Sequence, residues 1–535
     1  MTVNQSGWKP TTPTAATSDG ATTTGNRALM LEEPLIFEIG DSDSTGVDFG
    51  SYASGTSRIA GLERSTEIGL PGLSEPQTVR HYTRLSRQNY AIDLGLFPLG
   101  SCTMKHNPRL NEKVARMPGF ADIHPLAPQE SVQGALELID TLAYWLITLT
   151  GMHGVAMSPK AGAHGELCGI LAIRAALEAR GDARSVVLVP ESAHGTNPAT
   201  AAFAGYKVEN IPATSAGRVD LEALKARLEV GGPNCDVAAV MITNPNTCGL
   251  FEPEMKAISD AVHAAGGLVY CDGANFNAIV GKVRPGDLGI DAMHINLHKT
   301  FSTPHGGGGP GSGPVVMSEA LSRFAPLPYV VKSGDGYRLV EEETAHAEGS
   351  DSFGRMVAFH GQMGMFTRAL AYMMSHGADG LAQVAADSVL NANYLLRSLE
   401  DVLDAPFAHS GPCMHEAIFS DKGFAEGFST IDVAKALIDE GFHPMTMYFP
   451  LVVHGAMLVE PTETESKANL DQFIVALRSI AERARAGDPA LKTAPIYAPR
   501  RRLDETLAAR KPILAYQTPA PDGAESGVGA ELGGR

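Results

Sequence analysis

A chain of 535 residues is long enough to form several domains around a sizeable hydrophobic core. Hydrophobic residues make up 44% of it and charged residues 19%, which is the ordinary balance of a globular enzyme. The formal net charge is −18 at pH 7, and no basic stripe offsets the acidic excess. This charge argues against nucleic acid as a partner, because a polyanion would be repelled.

Cysteine spacing and apolar runs indicate in which cellular compartment the protein is expected. Six cysteines are scattered without a C-x-x-C pair, which favours free thiols in a reducing compartment over disulfides or a zinc site. Residues 1–30 lack the basic segment and the following apolar segment of a secretory signal. The longest apolar run, residues 136–150, is interrupted by polar residues and predicts a buried helix rather than a membrane span. We therefore expect a cytoplasmic protein with no membrane partner.

Composition shifts divide the chain into five predicted segments. Residues 1–65 and 501–535 are polar and weakly periodic, so we expect an irregular leader and an irregular tail. Residues 66–128 are expected to form an N-terminal arm with helical segments. A large domain is predicted over residues 129–384, followed by a smaller C-terminal α/β domain over residues 385–500.

Short apolar runs alternate with helical patterns in the large domain. Four strands are predicted, at 185–189, 206–211, 237–242 and 268–271. Helices are predicted over 130–150, 165–180, 220–229 and 253–265, with a short one from Asn197 and a methionine-rich one over 355–374. Strands that alternate with helices imply βαβ units, so the predicted fold class is α/β with a mostly parallel sheet.

One lysine stands out by its setting. Lys299 ends a short apolar run and precedes the glycine-rich segment 306–313. A lysine at a strand end, beside backbone that can approach closely, can condense with an aldehyde to form a Schiff base. If the aldehyde is pyridoxal phosphate, the chain must also supply a phosphate cradle, a carboxylate for the pyridine nitrogen and a flat group over the ring. The glycine-rich segment lacks the lysine of a nucleotide-binding P-loop, so we reject that motif.

Asp272 is the candidate for the carboxylate. It directly follows the strand at 268–271, and the carboxyl ends of parallel strands face the ligand crevice. An aspartate paired with a protonated pyridine nitrogen makes the ring an electron sink. The alternative is an aspartate that caps a turn before glycine. The short separation from Lys299, at the end of the next apolar run, favours the cofactor role.

Two loops offer the phosphate cradle and the flat group. The motif Gly162-Ala163-His164-Gly165 opens a helix, whose free N–H groups and dipole suit a phosphate. A plain connection from loop to helix is its alternative. His194 follows the next predicted strand and could lie flat on the pyridine ring, although a lone loop histidine is more often a surface group.

The remaining candidates are a threonine and a histidine pair. Thr247, in the turn Asn244-Pro-Asn-Thr247, could donate a hydrogen bond to a cofactor oxygen, and a purely structural turn explains the same residues equally well. His294 and His298 are four positions apart, a spacing that separates side chains on a strand, so no metal is predicted. His298 is expected instead to shape the surroundings of Lys299.

Long motifs across the chain resemble one known family. They are Phe97-Pro-Leu-Gly-Ser-Cys-Thr-Met-Lys-His-Asn107, Ile123-His-Pro125, Ser192-Ala-His-Gly-Thr-Asn-Pro198, Asn244-Pro-Asn-Thr247, Asp272-Gly-Ala-Asn275, Asn296-Leu-His-Lys-Thr-Phe301, Tyr448-Phe-Pro-Leu451 and Glu460-Pro-Thr-Glu-Thr-Glu-Ser466. Together they resemble the glycine decarboxylase (P-protein) family of the glycine cleavage system. The resemblance covers about residues 65–500 and is to the C-terminal half, which in many bacteria is a separate chain called subunit 2.

The resemblance implies a fold-type-I enzyme with pyridoxal 5'-phosphate as cofactor, in which Lys299 is the Schiff-base lysine. It implies decarboxylation of glycine through an external aldimine, with Asp272 keeping the pyridinium protonated. The aminomethyl group would pass to the lipoyl arm of H-protein and reduce its disulfide. A companion subunit 1 and an α2β2 assembly are also implied. The family usually has glutamine where His164 stands, so that side chain departs from the pattern while the backbone cradle does not.

Two other functions compete with this interpretation. Another fold-type-I decarboxylase, acting on a larger amino acid, fits the His298–Lys299 pair, but the long motifs elsewhere argue against it. A non-catalytic scaffold subunit is the second alternative. A scaffold would need none of Lys299, Asp272 and His194, and this chain retains all three.

Overall fold

The computed structural model describes residues 33–40, 44–46, 58–59, 61–66, 69–305, 311–498 and 501–515. Most of the predicted leader, the last part of the predicted tail and residues 306–310 of the glycine-rich segment lie outside this part of the chain. Within it, no helix is long and apolar enough to cross a membrane.

A seven-stranded sheet forms the centre of the molecule, with the spatial order β1-β7-β6-β5-β4-β2-β3. Its strands are β1 (Gly154–Ala156), β2 (Val186–Pro190), β3 (Lys207–Ile211), β4 (Val237–Thr243), β5 (Leu268–Asp272), β6 (Ala292–His294) and β7 (Val315–Met317). Strand β7 runs antiparallel to both of its neighbours, and the other pairs are parallel. The predicted α/β class with a mostly parallel sheet is confirmed.

Helices accompany the strands along the described chain. They are α1 (Ile36–Ile39), α2 (Glu75–Gln88), α3 (Arg109–Ala115), α4 (Pro118–Ala121), α5 (Gln133–Thr150), α6 (Gly162–Ala179), α7 (Thr196–Phe203), α8 (Leu221–Glu229), α9 (Met255–Ala264), α10 (Leu297–Thr300), α11 (Glu319–Ser322), α12 (Glu342–Ala345), α13 (Met363–Leu399), α14 (Thr430–Glu440), α15 (Lys467–Ala486) and α16 (Glu505–Arg510). A hairpin of β8 (Tyr329–Ser333) and β9 (Gly336–Val340) was not predicted from the sequence.

Both faces of the central sheet are buried, and the residues of β2 show why. Val186 and Leu188 join one apolar cluster, to which α5, α9 and α13 contribute. Val187 and Val189 join a second cluster with residues of α6 and α7. Successive side chains of a strand point to opposite faces, so a strand covered on both faces needs apolar residues at every position.

A smaller antiparallel sheet lies towards the C-terminus. It consists of β10 (Ala417–Phe419), β11 (Thr446–Met447) and β12 (Met457–Val459), with β12 in the middle. Residues of α13, α14 and α15 pack with it in a separate apolar cluster. Leu99 pairs with Val459 in an isolated bridge, and two residues further on the carbonyl oxygen of Ser101 meets Lys299.

Two expectations about local structure were wrong. Lys299 does not end a strand, because β6 stops at His294 and Lys299 lies in the short helix α10. The methionine-rich helix begins at Met363 rather than 355 and continues to Leu399, with non-helical backbone at Gly377. The boundary predicted at residue 384 falls seven residues after this kink, inside the second helical part of α13, and the five-segment division of the chain stays a prediction.

Candidate active site at the carboxyl ends of the parallel strands

A cavity of about 190 Å³ lies where strands β4, β5 and β6 end. Most of the side chains predicted for a cofactor site line it, namely Lys299, Asp272, His194 and Thr247, together with Gly162 and Ala163. The structure thus brings together residues from five separate segments. His164 and Gly165, the remaining residues of the predicted cradle, lie at the start of α6 and do not line the cavity.

Lys299 is held by the main chain of a distant segment. Its Nζ donates a hydrogen bond to the carbonyl oxygen of Ser101 at 2.7 Å. Ser101 has a φ of 59°, a left-handed conformation that is uncommon for a residue with a side chain. The Glu416 carboxyl accepts the Ser101 N–H at 2.7 Å and stabilises this turn. The position of the Ser101 carbonyl oxygen, which accepts from Lys299, therefore depends on Glu416, a residue of the C-terminal sheet region.

Asp272 ends β5 and is almost completely buried. One of its oxygens accepts the Ala274 N–H at 2.9 Å and lies 3.3 Å from Nε2 of His294. The other oxygen accepts a longer hydrogen bond from Asn197, at 3.4 Å. Such a fixed carboxylate can face a protonated ring nitrogen in the cavity.

His294 and His298 lie on different elements, and both contact Asn296. Asn296 Oδ1 lies 2.9 Å from His294 Nε2, and its Nδ2 lies 3.2 Å from His298 Nε2. Tyr270 reaches Nδ1 of His294 at 2.6 Å. Burial lowers the pKa of His294, and burial, His305 and Lys299 lower that of His298 to about 3. Both imidazoles are therefore neutral, and His298 lines the cavity beside Lys299.

A carboxylic acid that sequence reasoning overlooked also lines the cavity. Glu166 lies one helical turn into α6 and is buried, with its two oxygens contacted by the hydroxyls of Thr196 and Thr200. Burial, followed by the nearby Asp272, raises the pKa of Glu166 to about 8. The signal in the sequence was the position of this acid, one helical turn after Gly162, since residues three or four apart share one face of a helix.

The start of α6 has the shape of an anion cradle. A Cβ on Gly162 would lie 2.7 Å from Nδ2 of Asn296, and one on Gly165 would lie 2.7 Å from Cβ of His294. Glycine at both positions lets the helix N-terminus approach the loop after β6, where unpaired N–H groups and the helix dipole favour a phosphate. The side chain of His164 does not take part in the cradle, because its Nδ1 accepts the Lys160 N–H at 3.2 Å.

Thr247, Thr243 and Asn275 are further polar residues that line the cavity. Thr247 donates its hydroxyl proton to the carbonyl oxygen of Ser192, so its predicted hydrogen bond to a cofactor oxygen stays a prediction. Thr243 Oγ1 and Asn275 Oδ1, both at the cavity, are buried and have no partner among the described residues. Buried polar atoms without partners are costly, so these two fit a site that binds a polar cofactor.

A second group of acids lies behind the Ser101 turn. The donor atoms of His415, Glu416 and Glu460 lie within 4.8 Å of one another, close enough to hold a metal ion, so the expected absence of a metal stays a prediction. Two of these carboxyl oxygens already accept main-chain N–H groups, from Ser101 to Glu416 at 2.7 Å and from Thr103 to Glu460 at 2.9 Å. Their evident role is to hold the 101–103 turn.

The sheet topology, the lysine near the end of β6, the aspartate at the end of β5 and the cradle at α6 define a pyridoxal-phosphate enzyme of fold type I. A family model for class-V aminotransferases matches residues 168–402, and a model for the glycine dehydrogenase C-terminal domain matches residues 384–493. The chain belongs to the family of glycine dehydrogenase (decarboxylating) subunit 2.

Relatives and solved structures support this assignment. The probable glycine dehydrogenase (decarboxylating) subunit 2 of Caulobacter vibrioides is 64% identical over 520 residues, which cover 95% of this chain and 97% of the relative. Its counterpart from Thermotoga maritima is 49% identical over 85% of this chain and 93% of its own length. A crystal structure of glycine decarboxylase (P-protein) of the glycine cleavage system, in inhibitor-bound form, superposes with a TM-score of 0.65. At 23% identity over 79% of this chain and 93% of that one, it supports the fold alone.

Proposed function

We propose that this chain decarboxylates glycine and transfers the remaining aminomethyl group to the lipoyl arm of H-protein. It would act in the cytoplasm as subunit 2, together with a subunit 1, in an α2β2 assembly. The observation that carries the proposal is the convergence of Lys299, Asp272 and His194 on one cavity, in a chain 64% identical to a probable glycine dehydrogenase subunit. The larger-substrate decarboxylase and the scaffold are both less favoured by that identity.

Each residue has a role that follows from its position. The N-terminus of α6 at Gly162 and Ala163 would hold the cofactor phosphate, Asp272 would face the pyridine nitrogen, and His194 would cover the ring. Bound pyridoxal 5'-phosphate supplies an electron sink for the carbanion left when carbon dioxide departs. Lys299 would carry the cofactor until glycine displaces it.

The released lysine then has a defined resting place. Its Nζ can donate to the Ser101 carbonyl at 2.7 Å, which keeps the amine at the cavity and holds a proton at Nζ. Lys299 is therefore the group that would return a proton in the cavity. The neutral His298 beside it adds no competing positive charge.

The test is exchange of labelled bicarbonate with the carboxyl group of glycine, measured with subunit 1 and lipoylated H-protein present. We expect Lys299→Ala to lower the rate by at least about 10²-fold, the scale of lost acid–base catalysis alone. Lys113→Ala, at an exposed lysine of α3, is the matched control and should leave the rate unchanged. Equal exchange with alanine or glutamate would support the larger-substrate decarboxylase, and no exchange in any combination would support the scaffold.

A further inference from the structure

Three side chains beside the cavity form a continuous hydrogen-bonded chain. Thr196 Oγ1 lies 2.8 Å from Nδ1 of His194 and 2.7 Å from Oε1 of Glu166. The main-chain N–H of Thr196 also points at Nδ1 of His194, at 3.2 Å. On the far side, the Thr200 hydroxyl donates to the other oxygen of Glu166 at 3.3 Å.

The protons in this chain can be placed by elimination. A main-chain N–H can only donate, so Nδ1 of His194 is an acceptor and carries no proton. At 2.8 Å from that nitrogen, the Thr196 hydroxyl must point its single proton at it, because two lone pairs would otherwise face each other. The Thr196 oxygen then has only lone pairs left for Glu166. At 2.7 Å that contact needs a proton on the Glu166 carboxyl.

The electrostatics of the site lead independently to the same protonation state. Glu166 is 2% exposed. The charged and titratable groups that face it are Asp272 and Tyr270 on β5 and Lys299 on α10. Burial and the adjacent Asp272 outweigh the attraction of Lys299, so the pKa of Glu166 rises to about 8 and the carboxyl is protonated at neutral pH.

We propose that Glu166 is a positioning residue whose protonated carboxyl keeps the Thr196 hydroxyl directed at Nδ1 of His194, and so holds the imidazole in place as the tautomer with its proton on Nε2. This proposal rests on the proposed function, since it gives His194 a defined state at the cofactor. The Nε2–H is the ring group available to a molecule in the cavity. It can donate to an anionic oxygen or sulfur, such as the carboxylate of an amino acid or a thiolate.

Ionisation of Glu166 would turn the Thr196 hydroxyl away from His194. A Glu166 carboxylate can only accept, so the Thr196 hydroxyl would turn its proton towards it. Nδ1 of His194 would then lose the hydrogen bond from the hydroxyl and keep only that from the main-chain N–H of Thr196, at 3.2 Å. The lone pair on Nδ1 would be more open to a reagent, without any change in net charge on the imidazole.

Diethyl pyrocarbonate tests this arrangement directly, because it acylates the imidazole nitrogen that has a free lone pair. In the full-length chain at pH 7, Nδ1 of His194 is engaged and Nε2 is protonated, so His194 should react more slowly than His454, whose side chain is 98% exposed. Peptide mass spectrometry measures both sites in one sample. The chain is labelled without and with pyridoxal 5'-phosphate, and no turnover of glycine is needed.

Variants of Thr196 and Glu166 distinguish loss of this hydrogen-bonded chain from a general disturbance of the site. Thr196→Val and Glu166→Ala should raise the labelling rate of His194 by about threefold to tenfold, the range that one or two ordinary hydrogen bonds supply. Glu166→Gln keeps a neutral donor for Thr196, and Thr196→Ser keeps the hydroxyl, so both should label like the parent chain. Thr200→Val is the matched control, since it removes a contact to Glu166 without touching His194.

The pH profile gives the decisive comparison. Labelling of His194 in the parent chain should rise with a midpoint near pH 8, where Glu166 ionises, and this rise should be absent in Glu166→Gln. Equal rates in the parent chain and Thr196→Val, or the same pH profile in Glu166→Gln, would overturn the proposal. Labelling of His194 does not depend on decarboxylation. The labelling rates therefore still test this proposal if the chain turns out not to decarboxylate glycine.

Discussion

The side chain of Lys299 and the carbonyl oxygen of Ser101 form a 2.7 Å hydrogen bond between positions 198 residues apart. Ser101 and Thr103 both have left-handed backbone, with φ of 59° and 45°. Each donates its N–H to a buried glutamate of the C-terminal region, Glu416 or Glu460. The carboxyl groups of Glu416 and Glu460 thus set the position of the Ser101 carbonyl oxygen, which accepts the hydrogen bond from Lys299.

Replacement of Glu416 tests this dependence. Burial, followed by Glu460, raises the pKa of Glu416 well above its usual range, so the neutral glutamine is its matched replacement. Glu416→Ala leaves the Ser101 N–H without its acceptor and should lower the free energy of unfolding by about 1–3 kcal/mol. Glu416→Gln should lower it by less than about 1 kcal/mol. Urea titration and the dissociation constant of pyridoxal 5'-phosphate measure the effect, and equal losses in both variants would contradict it.

Lys105 anchors the same segment from within the protein. Its ammonium group is buried and donates to Glu463 at 2.7 Å, to Asn277 at 2.9 Å and to the carbonyl oxygen of Thr300 at 2.8 Å. Lys105→Met should destabilise the chain by about 3–5 kcal/mol, because Glu463 would remain buried without a counter-charge. The double variant Lys105→Met/Glu463→Gln should recover part of this loss in urea titrations. If the losses in the free energy of unfolding of the two single variants simply add in the double variant, Lys105 and Glu463 do not act as a pair.

The cradle at α6 requires glycine at residue 165. A Cβ there would lie 2.7 Å from His294 Cβ and 2.8 Å from the carbonyl oxygen of Gly313, so Gly165→Ala must displace the start of the helix. Forced overpacking of this kind costs about 1–3 kcal/mol, and we expect weaker binding of pyridoxal 5'-phosphate as well. Gly134→Ala in α5 is the control, because no heavy atom lies within 4 Å of the added carbon. Similar cofactor affinity in the two variants would refute the assignment.

A histidine remote from the cavity makes stability depend on pH. His263 Nε2 lies 2.7 Å from Asp291, and this hydrogen bond raises the pKa of His263 above 6.5. Because the pKa is higher in the folded state, the contribution is complete below the unfolded value and is lost as the pH rises through the folded value. His263→Gln should therefore lower the melting temperature more at pH 6 than at pH 9. His153→Gln, at an exposed histidine, should show no such difference.

Much of the architecture could be predicted from local pattern. The strand expected at 185–189 differs from β2 by one residue at each end, and the strand expected at 268–271 differs from β5 by one residue at its carboxyl end. Continuous apolar runs bounded by polar turns have few other solutions. The run before Lys299 was misassigned for the same reason. Burial alone does not distinguish a strand from a short helix, and Leu297 and Thr300 are buried in α10 just as β6 is.

The sequence by itself determined the class of the fold, the order of four of its parallel strands along the chain and most of the side chains that line the candidate site. It did so because periodicity and residue type are local properties. Tertiary structure alone decided that the Ser101 carbonyl meets Lys299, that Glu416 and Glu460 hold that turn, and that Glu166 reaches His194 through Thr196. Apart from the local contact between Thr196 and His194, these contacts join residues from 30 to 357 positions apart, so they depend on how the elements pack rather than on any pattern within one of them.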